Sequence, residues 1–129
     1  MLPKKNRLVK EIDIQKAFRT KSQMHDNYFG LRLSKNNLNK FMLLVIVGKK
    51  IYKKANKRNL IRRRVHSIFE GLKAKNQLPL SINLIIQIKS KEVINLDYND
   101  LKNNILTKTS KLYQKSLQES LPSRHKMPK

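Results

Sequence analysis

A chain of 129 residues with 30 Lys and Arg against 8 Asp and Glu, and so a formal net charge of +22, has the length of one domain and the charge of a polyanion's partner. It has no cysteine, which excludes disulfides and thiolate metal sites, and its longest apolar run, FMLLVIVG, is far short of the roughly 20 residues that span a bilayer. Nucleic acid, an anionic surface or an acidic protein remain as partners, and a soluble, cytoplasmic chain without a secretory leader is expected.

Residues 1–10 read as a basic arm with Pro3. A short helix is expected from about residue 11 to residue 19, with Ile12, Ala17 and Phe18 on an apolar face and Ile14 beside it. YFGLRLS (residues 28–34) alternates as a strand, with Phe29, Leu31 and Leu33 on one side and Tyr28, Gly30 and Arg32 on the other. KNNLNK (residues 35–40) is rich in Asn and reads as a hairpin loop. FMLLVIVG (residues 41–48) is apolar on both faces and reads as a central strand covered on both sides.

A basic segment then leads into a helix ending near Leu72, in which Ile61, Val65, Ile68, Phe69 and Leu72 recur at helical spacing. NQLPL breaks the pattern, and SINLIIQIK (residues 81–89) is a further strand with Ile82, Leu84, Ile86 and Ile88 on one face. A last helix is expected from an N-cap near Asp97 to about Leu117, with Leu101, Ile105 and Leu112 inward. The order α-β-β-α-β-α gives an α/β (α+β) two-layer sandwich, a small mixed sheet with helices packed on it. Residues 1–117 are expected to form one domain, and residues 118–129, with two prolines, a basic, disordered tail.

The charge is concentrated. Lys49, Lys50, Lys53, Lys54, Lys57, Arg58, Arg62, Arg63 and Arg64 fall within 16 residues that contain no Asp or Glu. A solvated helix face normally mixes signs, because like charges at i, i+4 destabilise it. At 100° per residue the apolar stripe of Ile61, Val65 and Ile68 runs back into Lys54, Lys57 and Arg58, with Arg62 flanking it and Asn59 and Arg63 forming a second row. Such a helix packs its far half on a sheet and offers its near half to an anion. Charge alone does not separate RNA from DNA.

Arg58-Asn59-Leu60-Ile61-Arg62-Arg63, preceded by Lys49-Lys50 and Ala55, resembles the signature helix of the bacterial ribonuclease P protein component. RLVKEIDIQKAF resembles that family's opening, VIVGKK its strand before the helix, and INLIIQIK with the final amphipathic helix its last strand and helix. The likeness covers about residues 7–115. It departs at Leu60, the third position of a usual Arg-Asn-Arg, and at Ile14, where an aromatic is usual. It departs also at Leu44 and Ile46, where small residues are common, and at Arg32, where some members have an aromatic.

The resemblance implies a subunit that binds the catalytic RNA of ribonuclease P through Lys49, Lys50, Lys53, Lys54, Lys57, Arg58, Asn59, Arg62, Arg63 and Arg64. It implies a cleft between the first helix and the sheet for the single-stranded 5′ leader of precursor tRNA, with Ile14, Phe18, Tyr28 and Arg32 as candidates. Phe18 and Tyr28 read equally as core residues. The holoenzyme would remove the leader by Mg²⁺-dependent hydrolysis carried out by the RNA. The protein would be a monomer, one per RNA, and bind no cofactor itself.

The residues suggest no protein active site. The eight acids are scattered, and Asp97 and Asp100 open a helix, where they favour its dipole. His25, His66 and His125 lie far apart, and His66 reads as a surface residue on the solvent side of the basic helix. The rivals are a structural rRNA-binding protein of ribosomal type, a DNA-binding protein, and an independent nuclease. No helix-turn-helix spacing supports the second, and the acid census disfavours the third. Precursor processing separates the first.

Overall fold

The computed structural model describes residues 2–120. The helices are α1 (Glu11–Phe18), α2 (Ala55–Ala74) and α3 (Tyr98–Ser120), and the strands are β1 (Gln23–His25), β2 (Phe29–Lys35), β3 (Phe41–Val47) and β4 (Ile82–Ile88). The sheet order is β1-β2-β4-β3. β2 runs antiparallel to both β1 and β4, and β3 is parallel to β4, so the sheet is mixed as expected.

One face of the sheet is closed. Phe29, Leu31 and Leu33 of β2, the odd residues of β3 and the even residues of β4 meet Ile61, Val65, Ile68 and Phe69 of α2 and Leu101, Ile105 and Leu112 of α3. α2 lies on β3 and α3 on β2. The Phe41 and Phe69 rings stack with centroids 5.1 Å apart. The other face is half closed: α1 buries Ala17 against Leu8, Met42 and Ile85, with Ile14, Phe18, Leu44 and Ile46 packed at the margin.

Several expectations need correction. The apolar strand β3 is an edge strand, not a central one; β2 and β4 hold the centre. It is apolar on both sides because α2 covers one face and α1 part of the other, while residues of the N-terminal segment line its outer edge through an Arg7–Leu43 bridge and a 2.9 Å bond from Leu8 N to Leu43 O. KNNLNK closes no hairpin, since β4 lies between β2 and β3. Asn36 instead clips the loop to the start of β4, donating Nδ2 to Asn83 Oδ1 at 2.8 Å and its backbone N–H to Ser81 O at 2.9 Å.

The segment read as a basic arm packs on the domain over its described residues 2–10: Leu2 and Leu8 are buried, and buried Asn6 donates Nδ2 to Phe41 O at 2.7 Å. Ile12, assigned to the apolar face of α1, is 61% exposed. The three-residue strand β1 was not foreseen. The turn after it is fastened by Asp26, which accepts from the N–H groups of Tyr28 and Phe29, both at 2.8 Å, and pairs with Lys108 of α3. α3 continues to Ser120, three residues into the segment assigned to the tail, and the rest of that segment lies outside the described residues. No helix among the described residues is long and apolar enough to cross a membrane.

His66 is also corrected. It is buried, and its Nδ1 accepts from Leu2 N at 3.3 Å. Burial first, then nearby positive charge including Arg7, pushes its pKa down to about 4. Helical geometry puts residue 66 at the margin of the apolar stripe; the N-terminal segment folding over that margin converts it from surface to interior.

Candidate nucleic-acid interface

The parallel β3-α2-β4 crossover places the start of α2 beside the C-terminal ends of β3 and β4. The helix begins without a side-chain cap and with no acid in its first turn. Its first N–H groups and the positive end of its dipole therefore add to Lys53, Lys54 and Lys57, all exposed, where an anion would be stabilised. Lys49 and Lys50 are exposed in the turn before them.

The arginines divide. Arg58 Nη1 donates to Tyr52 O at 3.0 Å and Lys53 O at 2.8 Å, bracing the turn that carries the lysines. Arg62 Nη1 donates to Asn59 Oδ1 at 3.0 Å and stays on the helix surface, with Arg63 exposed beside it. Arg64 lies on the opposite flank of the buried stripe, where its guanidinium donates to Ile94 O at 3.2 Å and Leu96 O at 2.7 Å. It fastens α2 to the connection before α3. Leu60, in the arginine's place, is 44% exposed among them.

The second surface is the half-closed sheet face. Arg32 points away from the closed core, as the strand alternation requires. Its guanidinium carbon lies 4.7 Å from the Phe18 ring centroid, and its Nη1 donates to Gln87 Oε1 at 3.3 Å. Ile14, Phe18 and Arg32 thus lie on one sheet face, over Ile85 and beside Leu44 and Ile46. Tyr28 does not join them. Although its number puts it in step with Arg32, it precedes β2 and packs against the closed core beside Phe29.

One group on this face went unnoticed in the sequence. His25 pairs with Gly30 in register, and Lys89 Nζ lies 2.9 Å from His25 Nδ1. An ammonium only donates, so Nδ1 accepts; Nε2 then carries the proton and donates to Gln23 Oε1 at 3.1 Å. The slight burial of the ring, then the charges of Lys89 and Arg32, lower the pKa of His25 from its usual value. The sequence did hold a signal: a lone glycine inside a strand marks the close approach of another group.

Among the described residues no group of three or more His, Cys, Asp or Glu could hold a metal ion. The two surfaces offer positive charge, a helix N-terminus and an aromatic-apolar groove, the combination that binds structured and single-stranded nucleic acid.

Comparison with known proteins agrees. Residues 2–114 match the family model described as Ribonuclease P. The chain is 32% identical over 106 residues to the ribonuclease P protein component of Phytoplasma australiense, spanning 81% of this chain and 89% of that protein. Among solved structures, a Staphylococcus aureus RNase P protein mutant with defective mRNA degradation activity superposes with a TM-score of 0.69 at 21% identity, covering 81% of this chain and 85% of the other. The RNase P protein from Thermotoga maritima gives 0.66 at 24% identity, covering 78% and 92%. At these identities the two structures establish likeness of fold.

Proposed function

This chain belongs to the ribonuclease P protein family and is the protein component of that tRNA-processing ribonuclease, and from this premise we propose how it divides its work. It associates with the RNA subunit. The exposed cations at the start of α2, together with Arg62 and Arg63, hold that catalytic RNA. The cleft of Ile14, Phe18 and Arg32 takes the single-stranded 5′ leader of precursor tRNA. The RNA performs the hydrolysis with Mg²⁺ held by its own phosphates, the protein supplies no reacting group, and one protein serves one RNA in the cytoplasm.

The observation that carries this reading is the Arg32 guanidinium lying 4.7 Å from the Phe18 ring centroid beside an apolar floor. Stacking on an aromatic or guanidinium face together with a phosphate contact suits an unpaired strand and is indifferent to a folded helix. The protein's contribution to catalysis is then positional: it raises the fraction of complexes in which the leader lies in one orientation.

The test is reconstitution with a ribonuclease P catalytic RNA at low Mg²⁺. The protein is expected to strengthen binding of precursor tRNA over mature tRNA and to restore cleavage; equal affinity for both would overturn the leader role. Cleavage of precursor by RNA-free protein would overturn the assignment of chemistry to the RNA.

A further inference from the structure

We propose that the cavity at the N-terminal ends of β3 and β4 is a docking site for a short acidic segment of another protein, whose leucine-like side chains insert between Leu38 and Leu80 while its carboxylates meet Lys5, Lys40 and Lys73. The inference does not depend on the leader reading and concerns a different end of the molecule.

The cavity has a volume of about 590 Å³, inside the range of about 300–1,000 Å³ where ligand pockets fall. Its lining joins the N-terminal segment, residues 38–41, the end of α2, and the leucines before β4. No residue of α1 and none of the cations at the start of α2 takes part. Along α2, Lys73 lies about 27 Å from Ala55 at helical rise. Along β3, Phe41 lies about 20 Å from Val47 at strand rise.

The two leucines are held outside. Leu38 is 52% exposed and Leu80 53%. Leu80 stands two residues before buried Ile82, and an unbroken strand would put both on the closed face. Ser81, with φ 63°, turns the chain through the left-handed region and breaks that alternation. Asn36 fixes both loops at once: its Oδ1 accepts from Leu38 N at 3.0 Å, and its N–H donates to Ser81 O at 2.9 Å. Asn39 and Asn76, the other non-glycine residues of positive φ among the described residues, both line the cavity. Backbone that is costly to hold is thus concentrated around one cavity, and its walls are set before a side chain enters.

The charge selects the occupant. The lining holds three lysines and no carboxylate. Half-buried Lys73 donates Nζ to Asn6 Oδ1 at 3.1 Å, a neutral acceptor. Nucleic acid also brings negative charge, but unpaired bases stack on aromatic rings or guanidinium planes. Here the exposed apolar lining is aliphatic, with no arginine and only the buried Phe41 ring. A concave opening between two leucines fits an inserted side chain better than a flat bilayer. A second copy of the chain, at net charge +22, is repelled, and residues 121–129 carry Arg124, Lys126 and Lys129 and no acid. The occupant is therefore an acidic segment of a different protein.

The experiment uses the full chain and labelled synthetic peptides of Asp, Glu and Leu in several spacings, each with a control in which Ser replaces every Leu, at physiological salt. The tightest Leu peptide is expected to bind roughly tenfold more tightly than its Ser control. Leu38→Ser and Leu80→Ser are expected to remove most of that preference without moving the melting temperature, since both side chains are exposed. Leu80→Met is expected to keep it. Lys73→Met is expected to weaken both peptides alike, and Lys57→Met, at the start of α2, to leave the preference unchanged. With catalytic RNA added the preference is expected to persist, because the proposed RNA contacts lie at the other end of α2.

Equal binding of every Leu peptide and its control, or a preference that survives both serine variants, would overturn the site. Loss of the preference in the RNA complex would put the cavity under the RNA and overturn a protein occupant. Oligouridylate or phosphatidylglycerol vesicles whose binding falls in Leu38→Ser and Leu80→Ser, while the peptides show no preference, would give the cavity to RNA or to a membrane surface instead.

Discussion

The two faces of the four-stranded sheet are covered very differently. The face under α2 and α3 is closed by long helices of 20 and 23 residues, and its side chains are mainly buried aliphatics, with Phe29 and the stacked rings of Phe41 and Phe69 among them. The face under α1 meets a helix of only eight residues, which covers Met42 and Ile85 and leaves Arg32, Gln87 and half-buried Ile46 at an open margin. Helix length decides which face is closed and which stays open. A longer α1 would close the cleft; a shorter α2 would open the core.

Substitutions on the closed face should therefore cost folding and spare function per folded molecule. Phe69→Ala removes a fully buried ring stacked on Phe41 and is expected to lower stability by about 3–5 kcal/mol in denaturant unfolding. Folded Phe69→Ala protein should bind RNA with wild-type affinity. A large affinity loss in folded protein would mean that the two faces are not separable.

Binding through the start of α2 should respond to salt as the core does not. Neutralising about five phosphates gives a slope of roughly −3.5 to −4.5 in log K against log salt, about two orders of magnitude over a fourfold rise in salt. Arg62→Ala should reduce that slope by about one without unfolding the domain. Arg64→Ala should act otherwise, lowering stability through its lost bonds to Ile94 and Leu96 and leaving the slope nearly unchanged. Measured slopes for the two variants separate the cation that faces RNA from the cation that faces the fold.

His66 sharpens the comparison from the interior. Its folded pKa, about 4, lies below the ordinary 6.5. The unfolded chain therefore takes up a proton more readily, and stability that is complete above pH 6.5 declines as pH falls toward 4, by about 3 kcal/mol. His66→Leu should flatten this part of the pH–stability profile while costing about 1–3 kcal/mol at neutral pH, because Leu2 N–H loses its acceptor. A wild-type profile flat between pH 6.5 and 4 would show that the N-terminal segment does not cover His66 in solution.

The sequence was most legible where one periodicity ruled. Ile61, Val65, Ile68 and Phe69 on α2, and Ile82, Leu84, Ile86 and Ile88 on β4, lie where spacing places them. It was least legible where contacts come from far along the chain. Leu2 against His66, and Leu8 against Leu43, join residues far apart in sequence, and nothing in FMLLVIVG distinguishes a central strand from an edge strand roofed by α1. The same limit explains the candidate site. Ile14, Phe18 and Arg32 came together because each lies on a periodic element, whereas Tyr28 sits just before its strand and escapes the alternation. Arg64 reads as one more member of a cationic run until the carbonyls of Ile94 and Leu96 appear beside it.

The smallest expected effect is the most discriminating. Arg32→Ala removes one guanidinium that touches Phe18 and Gln87 on the open face and no residue of the closed core. Its cost to stability should be small, since Arg32 is only half-buried and the apolar contacts of Phe18 with Ile85 and Met42 remain. Its cost to precursor binding should be about 1–2 kcal/mol, the lower part of the range for a base or phosphate contact in a single-strand groove. Binding to the catalytic RNA should be nearly unchanged, because the start of α2 is a separate surface. The decisive quantity is the ratio of precursor to mature tRNA affinity in the assembled holoenzyme, measured for wild type and Arg32→Ala at one salt concentration. An unchanged ratio would show that the leader does not pass Phe18 and Arg32. A parallel fall in both affinities would show that Arg32 acts through the RNA subunit and that the open face and the basic helix form a single surface.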